Sequence, residues 1–254
     1  MNLKEPAASA LPLTGIATLT LPPFSFHIRN TPNMTRISRA MLTVMMLAGS
    51  YLQAAEPIDL FDGKTLDGWT RYGGEHEYSV RDGLIIGKVV EGATSSYLCT
   101  DRQFDDFELT FEVKYLVGGV NSGCQLRSLI RKEDGEKNFM KKGAIYGPQV
   151  EINLRTNNDS GNIYGQGLGT DYLKPKKKSI TSFRPTEWNR IKVVAKGPRI
   201  QTWINGEAVA DIVNEEVYRT NPRGMIGLQI HKVTKGTGPY ELAWRNITIS
   251  EVNK

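Results

Sequence analysis

The clearest pattern along the chain is a strict alternation of apolar and polar residues over positions 107–115. The apolar positions of this segment are Phe107, Leu109, Phe111, Val113 and Tyr115. Successive side chains of a β-strand point to opposite faces, so the segment would bury one face and leave the other in water. The alternation therefore predicts a half-buried strand.

Two tight-turn dipeptides, each flanked by apolar runs, predict β-hairpins. Asp82-Gly83 divides the segment 78–87, and Asn205-Gly206 divides the segment 199–213. Both dipeptides favour the left-handed backbone that a two-residue hairpin turn requires. We therefore expect two antiparallel strand pairs at these positions.

The remaining pattern consists of short apolar runs separated by Gly, Pro and Asn. These runs predict further strands over 191–195, 225–231 and 241–249. Only two ranges could hold a helical turn or two, 133–142 and 211–219. The polar, glycine-containing stretch 157–185 predicts a long loop of the kind that is usually functional or mobile. Many short strands predict an all-β domain with the architecture of an antiparallel β-sandwich or jelly roll.

The chain begins with a segment that has the composition of an export signal. The basic stretch Met34–Arg39 precedes the uncharged apolar run Ala40–Gly49, and small residues follow at Ala54 and Ala55. This order is typical of a secretory signal peptide. The apolar run is too short for a hydrocarbon core about 30 Å thick, so we expect no stable membrane insertion.

The signal divides the chain into three parts. Residues 34–55 would be the signal peptide, and residues 56–254 would form one mature domain. Residues 1–33 are either the product of a misassigned start codon, with Met34 as the true start, or a disordered extension. We therefore expect an exported, periplasmic or extracellular protein.

Charge argues against a polyanionic partner. The chain has 32 Lys and Arg against 27 Asp and Glu, but residues 1–54 carry four of the basic and one of the acidic side chains. The remaining 28 basic and 26 acidic residues leave a net charge of only +2. A nearly neutral domain lacks the field that attracts a polyanion, so nucleic-acid binding is not expected.

Two cysteines, Cys99 and Cys124, lie in predicted strands. In an oxidising compartment they could form a disulfide. The alternative is a pair of buried thiols.

Polar residues recur two apart on three predicted strands. The pairs are Gln125 with Arg127, Gln149 with Glu151, and Gln229 with His231. Residues two apart share one face of a strand, and the apolar residues between them would face the core. Amides and guanidinium groups can hydrogen bond to sugar hydroxyls, so one face could form a site for a small carbohydrate. The alternative is the wet face of an ordinary sheet.

Aromatic residues could complete such a site by stacking on a sugar ring. The candidates are Tyr146, Tyr164, Trp188 and Trp203.

Eight segments in order resemble the 3-keto-disaccharide hydrolase domain family. They are Leu60–Trp69, Asn121–Gly123 with Arg127, Tyr146–Ile152, Gly161–Gly165, Trp188-Asn189, Trp203–Gly206, Ile226–His231 and Trp244–Ile247. The resemblance covers about residues 57–251. It implies a concanavalin-like jelly roll, secretion in bacteria, and action on glycosides that carry a ketone at C3.

The chain departs from the family pattern at two places. Ile230 and Lys232 stand where the family often has Asp and Gly around the histidine. Gln149 and Glu151 carry the two polar types in exchanged order on the central strand. Either change could alter the substrate or abolish activity.

The carboxylates do not follow the pattern of ordinary jelly-roll glucanases, which supply two acids from one strand. In the corresponding run, Glu151 is followed by Asn153 and Thr156 where the other acids would stand. The usual two-carboxylate mechanism of glycoside hydrolysis therefore has no support here.

Cleavage of a 3-keto sugar needs only one base for the first step, because the ketone acidifies the proton on C2. Glu151 or His231 would be that base, and Arg127 with Gln149 would hold the keto oxygen. A tyrosine, or whichever of the two bases remains, would protonate the leaving group. Glu151, His231 and Asn121 could alternatively bind a divalent metal that stabilises the enolate.

The leading hypothesis is thus an enzyme that cleaves 3-keto-glycosides, with Glu151 and His231 as catalytic residues. The expected substrate-binding residues are Asn121, Gln125, Arg127, Tyr146, Gln149, Tyr164, Trp203 and Gln229. The main alternative is a non-catalytic carbohydrate-binding module, and a third is a structural adhesion domain. A buried Glu151 beside a concave pocket would favour the enzyme, and an exposed one would favour the module.

Overall fold

A computed structural model describes residues 56–137, 141–153, 159–171, 173 and 181–252. The expected signal peptide at 34–55 and the segment 1–33 lie outside these residues. The first seven strands are β1 (Ile58–Asp59), β2 (Trp69–Gly73), β3 (Glu77–Arg81), β4 (Leu84–Lys88), β5 (Ser96–Phe104), β6 (Phe107–Val117) and β7 (Ser122–Ile130). The others are β8 (Ile145–Ile152), β9 (Ile163–Gln166), β10 (Asn189–Lys196), β11 (Arg199–Ile204), β12 (Glu207–Val213), β13 (Gly224–Ile230) and β14 (Glu241–Glu251). One short helix, α1 (Glu215–Thr220), precedes β13 within the described residues.

The predicted hairpins are confirmed in register. Arg81 pairs with Leu84 across the β3–β4 turn, and Asp82 and Gly83 both have positive φ. Ile204 pairs with Glu207 across the β11–β12 turn, where Asn205 and Gly206 likewise have positive φ. The dipeptides thus supply the left-handed backbone that closes each turn.

The described strands form two antiparallel sheets. The larger sheet has the order β12-β11-β10-β6-β14-β4-β3, with β1 paired to β14. The smaller sheet has the order β2-β5-β13-β7-β8-β9. The expectation of an all-β antiparallel sandwich is therefore confirmed.

The hydrophobic core lies between the two sheets and explains the alternating pattern. The alternating apolar residues of β6 are at most 3% exposed, and they pack in one cluster with apolar residues of the smaller sheet. Leu126, Val150 and Ile230 belong to that cluster, as their position between the polar pairs predicts. Burial of this apolar surface is the main force that holds the sheets together.

The predicted long loop and the predicted helical ranges differ from the structure in part. Within 157–185, residues Ile163–Gln166 form β9, which pairs with β8. Helix α1 lies close to the predicted range 211–219, and Asn214 caps it by accepting a hydrogen bond from the Val217 N–H at 3.0 Å. The described part of 133–142 contains no helix.

Cys99 and Cys124 are both buried and free, which settles the choice left open by the sequence in favour of two thiols. Cys124 pairs with Leu228 and faces the core, whereas Cys99 pairs with Gly227, one residue out of phase. The two side chains therefore leave opposite faces of the sheet, where no disulfide can join them. Burial raises the pKa of the Cys99 thiol to about 12 and that of Cys124 further still.

No helix among the described residues is long and apolar enough to cross a membrane.

Candidate functional site

The candidate site lies on the outer face of the smaller sheet, which points away from the core. Two rows of paired residues cross this face. The first row runs Cys99, Gly227, Gln125, Gln149, Tyr164, and the second runs Tyr97, Gln229, Gly123, Glu151. Strands lie about 4.8 Å apart, so Gln229 and Glu151 have Cα atoms roughly 10 Å apart across β7. The structure therefore brings the predicted glutamines and the predicted base together.

A chain of hydrogen bonds orients the Glu151 carboxylate. The Ser128 hydroxyl donates to Gln125 Oε1 at 2.8 Å, and Gln125 Nε2 donates to Gln149 Oε1. Gln149 Nε2 then donates to Glu151 Oε2 at 2.9 Å. Each glutamine uses its oxygen as an acceptor and its nitrogen as a donor, so the amides are held in one orientation. All four side chains are buried, which makes these bonds strong and their loss costly.

Glycines on β7 and β13 make room for this chain of hydrogen-bonded side chains. A Cβ at Gly123 would lie 2.5 Å from Cδ of Gln149, and one at Gly227 would lie 2.8 Å from Sγ of Cys99. Side chains at either position would occupy the space that the flat-lying glutamine and the thiol now fill. The two glycines are therefore part of the site geometry rather than turn residues.

Gln229 presents a polar atom with no partner on this face. Its Nε2 donates to the Tyr97 hydroxyl at 3.3 Å, but its buried Oε1 has no hydrogen-bond partner among the described residues. An unpaired buried carbonyl oxygen costs about 1–3 kcal/mol. Burial raises the pKa of Tyr97 to about 12, so its hydroxyl stays neutral.

His231 follows β13 at the edge of the same face and is half-buried. Its backbone N–H donates to the Asn121 carbonyl oxygen at 3.0 Å, which places the two residues side by side. The side chain of Asn121 turns toward its own strand, where Oδ1 accepts the Ser122 N–H at 2.9 Å. Ring Nδ1 of His231 lies 3.1 Å from the Lys232 carbonyl oxygen. A carbonyl can only accept, so Nδ1 carries the hydrogen and Nε2 holds the basic lone pair of the neutral ring.

A cleft of about 440 Å³ opens beside His231 and Tyr164. Its other described lining residues include Ser95, Lys137, Thr170, Asp171 and Lys232. Burial, with lesser effects of Asp171 and Glu151, raises the pKa of Tyr164. The cleft therefore brings a phenol and an imidazole together. Glu151 is not among its described lining residues and lies on the neighbouring strand, two residues from Gln149, the partner of Tyr164.

Arg127 does not belong to this cluster, contrary to expectation. Its φ of 45° breaks the alternation of β7 and directs the side chain to the end of the sandwich. There Nη2 pairs with Asp106 at 2.9 Å, Nη1 donates to Gly197 O at 2.7 Å, and Nε donates to Asp105 O. Burial lowers the pKa of Arg127, although the Asp106 charge opposes this. The guanidinium joins two turns of the fold and has no described contact with Gln149 or Glu151.

Tyr146 and the two tryptophans also lie elsewhere. Tyr146 is near the opposite end of β8 from Glu151, stacked under Arg131 at 4.6 Å, in a separate cleft. Trp203 is on β11 in the larger sheet, with Lys192 5.7 Å from its ring. Trp188 lies under Arg245 at 4.0 Å, and Arg245 is on β14 of that same sheet. Of the four predicted aromatic candidates, only Tyr164 reaches the site.

The described residues contain no group of three His, Cys, Asp or Glu side chains placed to bind a metal. Of the alternative metal ligands Glu151, His231 and Asn121, the Oδ1 of Asn121 accepts a hydrogen bond from the Ser122 N–H.

Three residues in or beside the site were not anticipated from the sequence. Tyr97 alternates with Cys99 on β5 and contacts Gln229, and Ser128 begins the amide chain. His76, in the connection between β2 and β3, contacts the backbone of His231. Tyr97 could have been found from the sequence, because it lies two residues from Cys99 on the same strand. Ser128 could not, because only the register shift in β7 brings it to the amide chain.

A family model described as the 3-keto-alpha-glucoside-1,2-lyase-like domain matches residues 56–250. This match covers nearly all of the described residues and includes every residue of the candidate site. A search of curated proteins finds no match to the chain.

Solved structures share the fold at low sequence identity. A Bacillus subtilis protein with a galectin-like fold has a TM-score of 0.53 at 14% identity, covering 80% of this chain and 99% of that one. A candidate glycosyl hydrolase from Parabacteroides distasonis ATCC 8503 has a TM-score of 0.50 at 20% identity, covering 78% and 94%. An endo-β-galactosidase from Clostridium perfringens that releases GlcNAcα1-4Gal has a TM-score of 0.51 at 14% identity, covering 78% and 63%. At these identities the likeness shows the galectin-like sandwich alone.

Proposed function

The chain belongs to the 3-keto-alpha-glucoside-1,2-lyase-like domain family, and we propose on that premise that it cleaves the glycosidic bond of 3-keto-glycosides by elimination. Membership makes it a carbohydrate-active protein. The reaction, the substrate and the roles of individual residues are the proposal, and they are argued from the site.

The reaction needs one base, one acid and a site for the keto oxygen. The base removes the C2 proton. The electron pair of the broken C2–H bond then forms the enolate with the C3 ketone. The enolate then re-forms the ketone, a C1–C2 double bond appears, and the C1–O bond breaks. The leaving oxygen takes a proton from the acid. Water adds across the new double bond afterwards and gives the free 3-keto sugar.

The buried, oriented carboxylate of Glu151 is the observation that carries the proposal. Glu151 is 6% exposed and accepts a hydrogen bond from Gln149. A side chain that only binds sugar hydroxyls does not need a carboxylate ordered by three further side chains. A base does, because it must meet one particular C–H bond in a fixed direction.

The other groups around the cleft have matching roles. Tyr164 has a raised pKa and remains protonated at neutral pH, so it can donate the proton that the leaving oxygen requires. His231 lines the cleft and directs its Nδ1 to the Lys232 carbonyl oxygen, so its Nε2 makes it the second candidate base. Gln229 lies on the same sheet face, and its Oε1, buried and without a partner among the described residues, would accept a sugar hydroxyl only after the side chain becomes exposed.

A non-catalytic carbohydrate-binding module is the competing function. Modules of this kind bind through aromatic platforms, and such a platform could form at Trp203 on the larger sheet, beside a cleft of about 600 Å³. The amide chain that ends on Glu151 favours the enzyme, because a binding module does not require an oriented carboxylate.

The test uses 3-keto-trehalose and unmodified trehalose as paired substrates in D₂O. We expect cleavage of 3-keto-trehalose alone, because only the ketone acidifies C2. We also expect deuterium at C2 of the released 3-keto-glucose, after correction for exchange without enzyme. Cleavage of both sugars, or cleavage without deuterium at C2, would contradict elimination. Binding of either sugar without any cleavage would favour the module.

A further inference from the structure

His76 is fully buried and lies in the connection between β2 and β3, far from His231 in sequence. Four hydrogen bonds hold it. Its backbone N–H donates to Ser96 Oγ at 3.0 Å, and its carbonyl oxygen accepts Arg71 Nη1 at 3.1 Å. The other two bonds involve the ring. A buried imidazole fixed on both its backbone and its ring has a defined position and orientation.

The ring of His76 connects two segments through one particular tautomer. The Val90 N–H donates to Nδ1 at 3.1 Å, so Nδ1 must hold a lone pair. The hydrogen of the neutral ring therefore resides on Nε2, which donates to the His231 carbonyl oxygen at 3.1 Å. Burial lowers the pKa of His76, and the ring consequently stays neutral around pH 7 and keeps both bonds.

His231 is consequently held on both of its peptide groups. Its N–H is bound by Asn121, its carbonyl oxygen is bound by His76, and its ring Nδ1 is bound by the Lys232 carbonyl. These contacts define the direction in which the ring leaves the backbone at the edge of the cleft.

We propose that His76 is a positioning residue that holds the backbone of His231 so that the imidazole faces the cleft. The proposal rests on the proposed function in one respect, because a positioned His231 affects turnover only if the site is catalytic. His76 itself touches no substrate. Its effect reaches the reaction through the His231 carbonyl.

Two substitutions separate the two ring bonds. In His76→Gln the amide nitrogen can take the place of Nε2 and donate to His231, while the bond from Val90 is lost. In His76→Asn the amide oxygen can take the place of Nδ1 and accept from Val90, while the bond to His231 is lost. Each variant breaks one buried hydrogen bond, so we expect similar losses of stability and use urea unfolding to match the two.

Turnover of 3-keto-trehalose by the full chain then distinguishes the variants. We expect kcat to fall roughly tenfold to hundredfold in His76→Asn, with KM changed less than about threefold, because the loss is one of orientation. We expect His76→Gln to retain kcat within about threefold of the wild type. Equal losses in both variants, or a loss confined to His76→Gln, would overturn the proposal.

An NMR measurement tests the same claim without activity. Long-range ¹H–¹⁵N spectra report which ring nitrogen of His231 carries the hydrogen, and His231→Ala assigns the signals. We expect the Nδ1–H pattern in the wild type and in His76→Gln, and altered ¹⁵N shifts in His76→Asn. Unchanged His231 signals in His76→Asn would overturn the positioning role. If the wild type cleaves no 3-keto-glycoside, the proposed function fails, while these spectra still decide the role of His76.

Discussion

Arg127 and Asp106 form a charged pair in which both side chains are nearly inaccessible, at 2% and 7% exposure. The guanidinium also donates to two backbone carbonyl groups in neighbouring turns. Removal of one member of such a pair leaves the other charge buried without compensation, which costs about 3–5 kcal/mol. The residue is therefore important for stability rather than for chemistry.

We expect Arg127→Met to lower the free energy of unfolding by about 3–5 kcal/mol in urea titrations. The folded variant should keep KM for 3-keto-trehalose within about twofold, because Arg127 lies outside the site. Arg199→Met is the matched control. Its partner Asp211 is 2.6 Å away, but both side chains are about half exposed, so the expected loss is under about 1 kcal/mol. A large rise in KM with unchanged stability would contradict this assignment.

The same residue shows where prediction from sequence ends. Spacing alone places Arg127 beside Gln125, because residues two apart share a face of a regular strand. The strand is not regular there: the β7–β8 register shifts between Gln125 and Leu129, and Arg127 adopts a positive φ. Nothing in the local sequence marks this irregularity, because no glycine or asparagine occupies the position. Gln149 and Glu151 lie in the regular part of the pairing, opposite Gln125 and Gly123, and they share one face as residues two apart should.

One long strand and two hairpin turns of this fold are encoded locally, whereas β9 is not. Alternation specifies β6, and the Asp-Gly and Asn-Gly dipeptides specify two hairpins, so these elements follow from the sequence. Strand β9 has only four residues within a glycine-rich stretch and forms by pairing with β8. Its formation depends on a tertiary contact, which explains why the sequence indicated a loop. Tyr164, the aromatic residue at the site, is on this strand.

Strand β7 must have a glycine at position 123, opposite Glu151. We expect Gly123→Ala to displace Gln149, because the new Cβ would lie 2.5 Å from its amide carbon. The overpacking should cost about 1–3 kcal/mol of stability in urea titrations. It should also lower kcat at least about tenfold at temperatures where the variant is folded, since Glu151 loses its orienting donor. Wild-type kcat in a folded Gly123→Ala variant would show that the amide chain does not position the base.

The outer faces of the two sheets differ in how their polar side chains are arranged: one face is solvated, and the other carries the candidate site. The larger sheet presents ion pairs such as Lys192 with Glu108, both about 40% exposed. The smaller sheet instead buries its polar side chains in a hydrogen-bonded set. Alternation predicts that polar residues leave the core on both faces. It does not predict which face is covered, because that depends on loops and distant segments.

Stability of the whole molecule should depend on pH through His76. Burial lowers its pKa below the usual 6.5, so the unfolded chain takes up a proton that the folded chain resists. The free energy of unfolding should therefore be fully maintained above about pH 6.5 and fall as pH decreases below it. Urea midpoints at pH 5, 6, 7 and 8 measure this, and His76→Gln should show a flatter profile between pH 5 and 7. An identical slope in the variant would contradict the assignment to His76.

The most direct measurement is the turnover of 3-keto-trehalose by Glu151→Gln, which keeps the size of the side chain and an oxygen for Gln149 but removes the base. Glu216→Gln, an exposed position on α1, serves as the control. We expect kcat to fall by on the order of 10² to 10⁴ in Glu151→Gln. The control should match the wild type. A decrease of less than about threefold in a folded Glu151→Gln variant would contradict a catalytic role for this carboxylate.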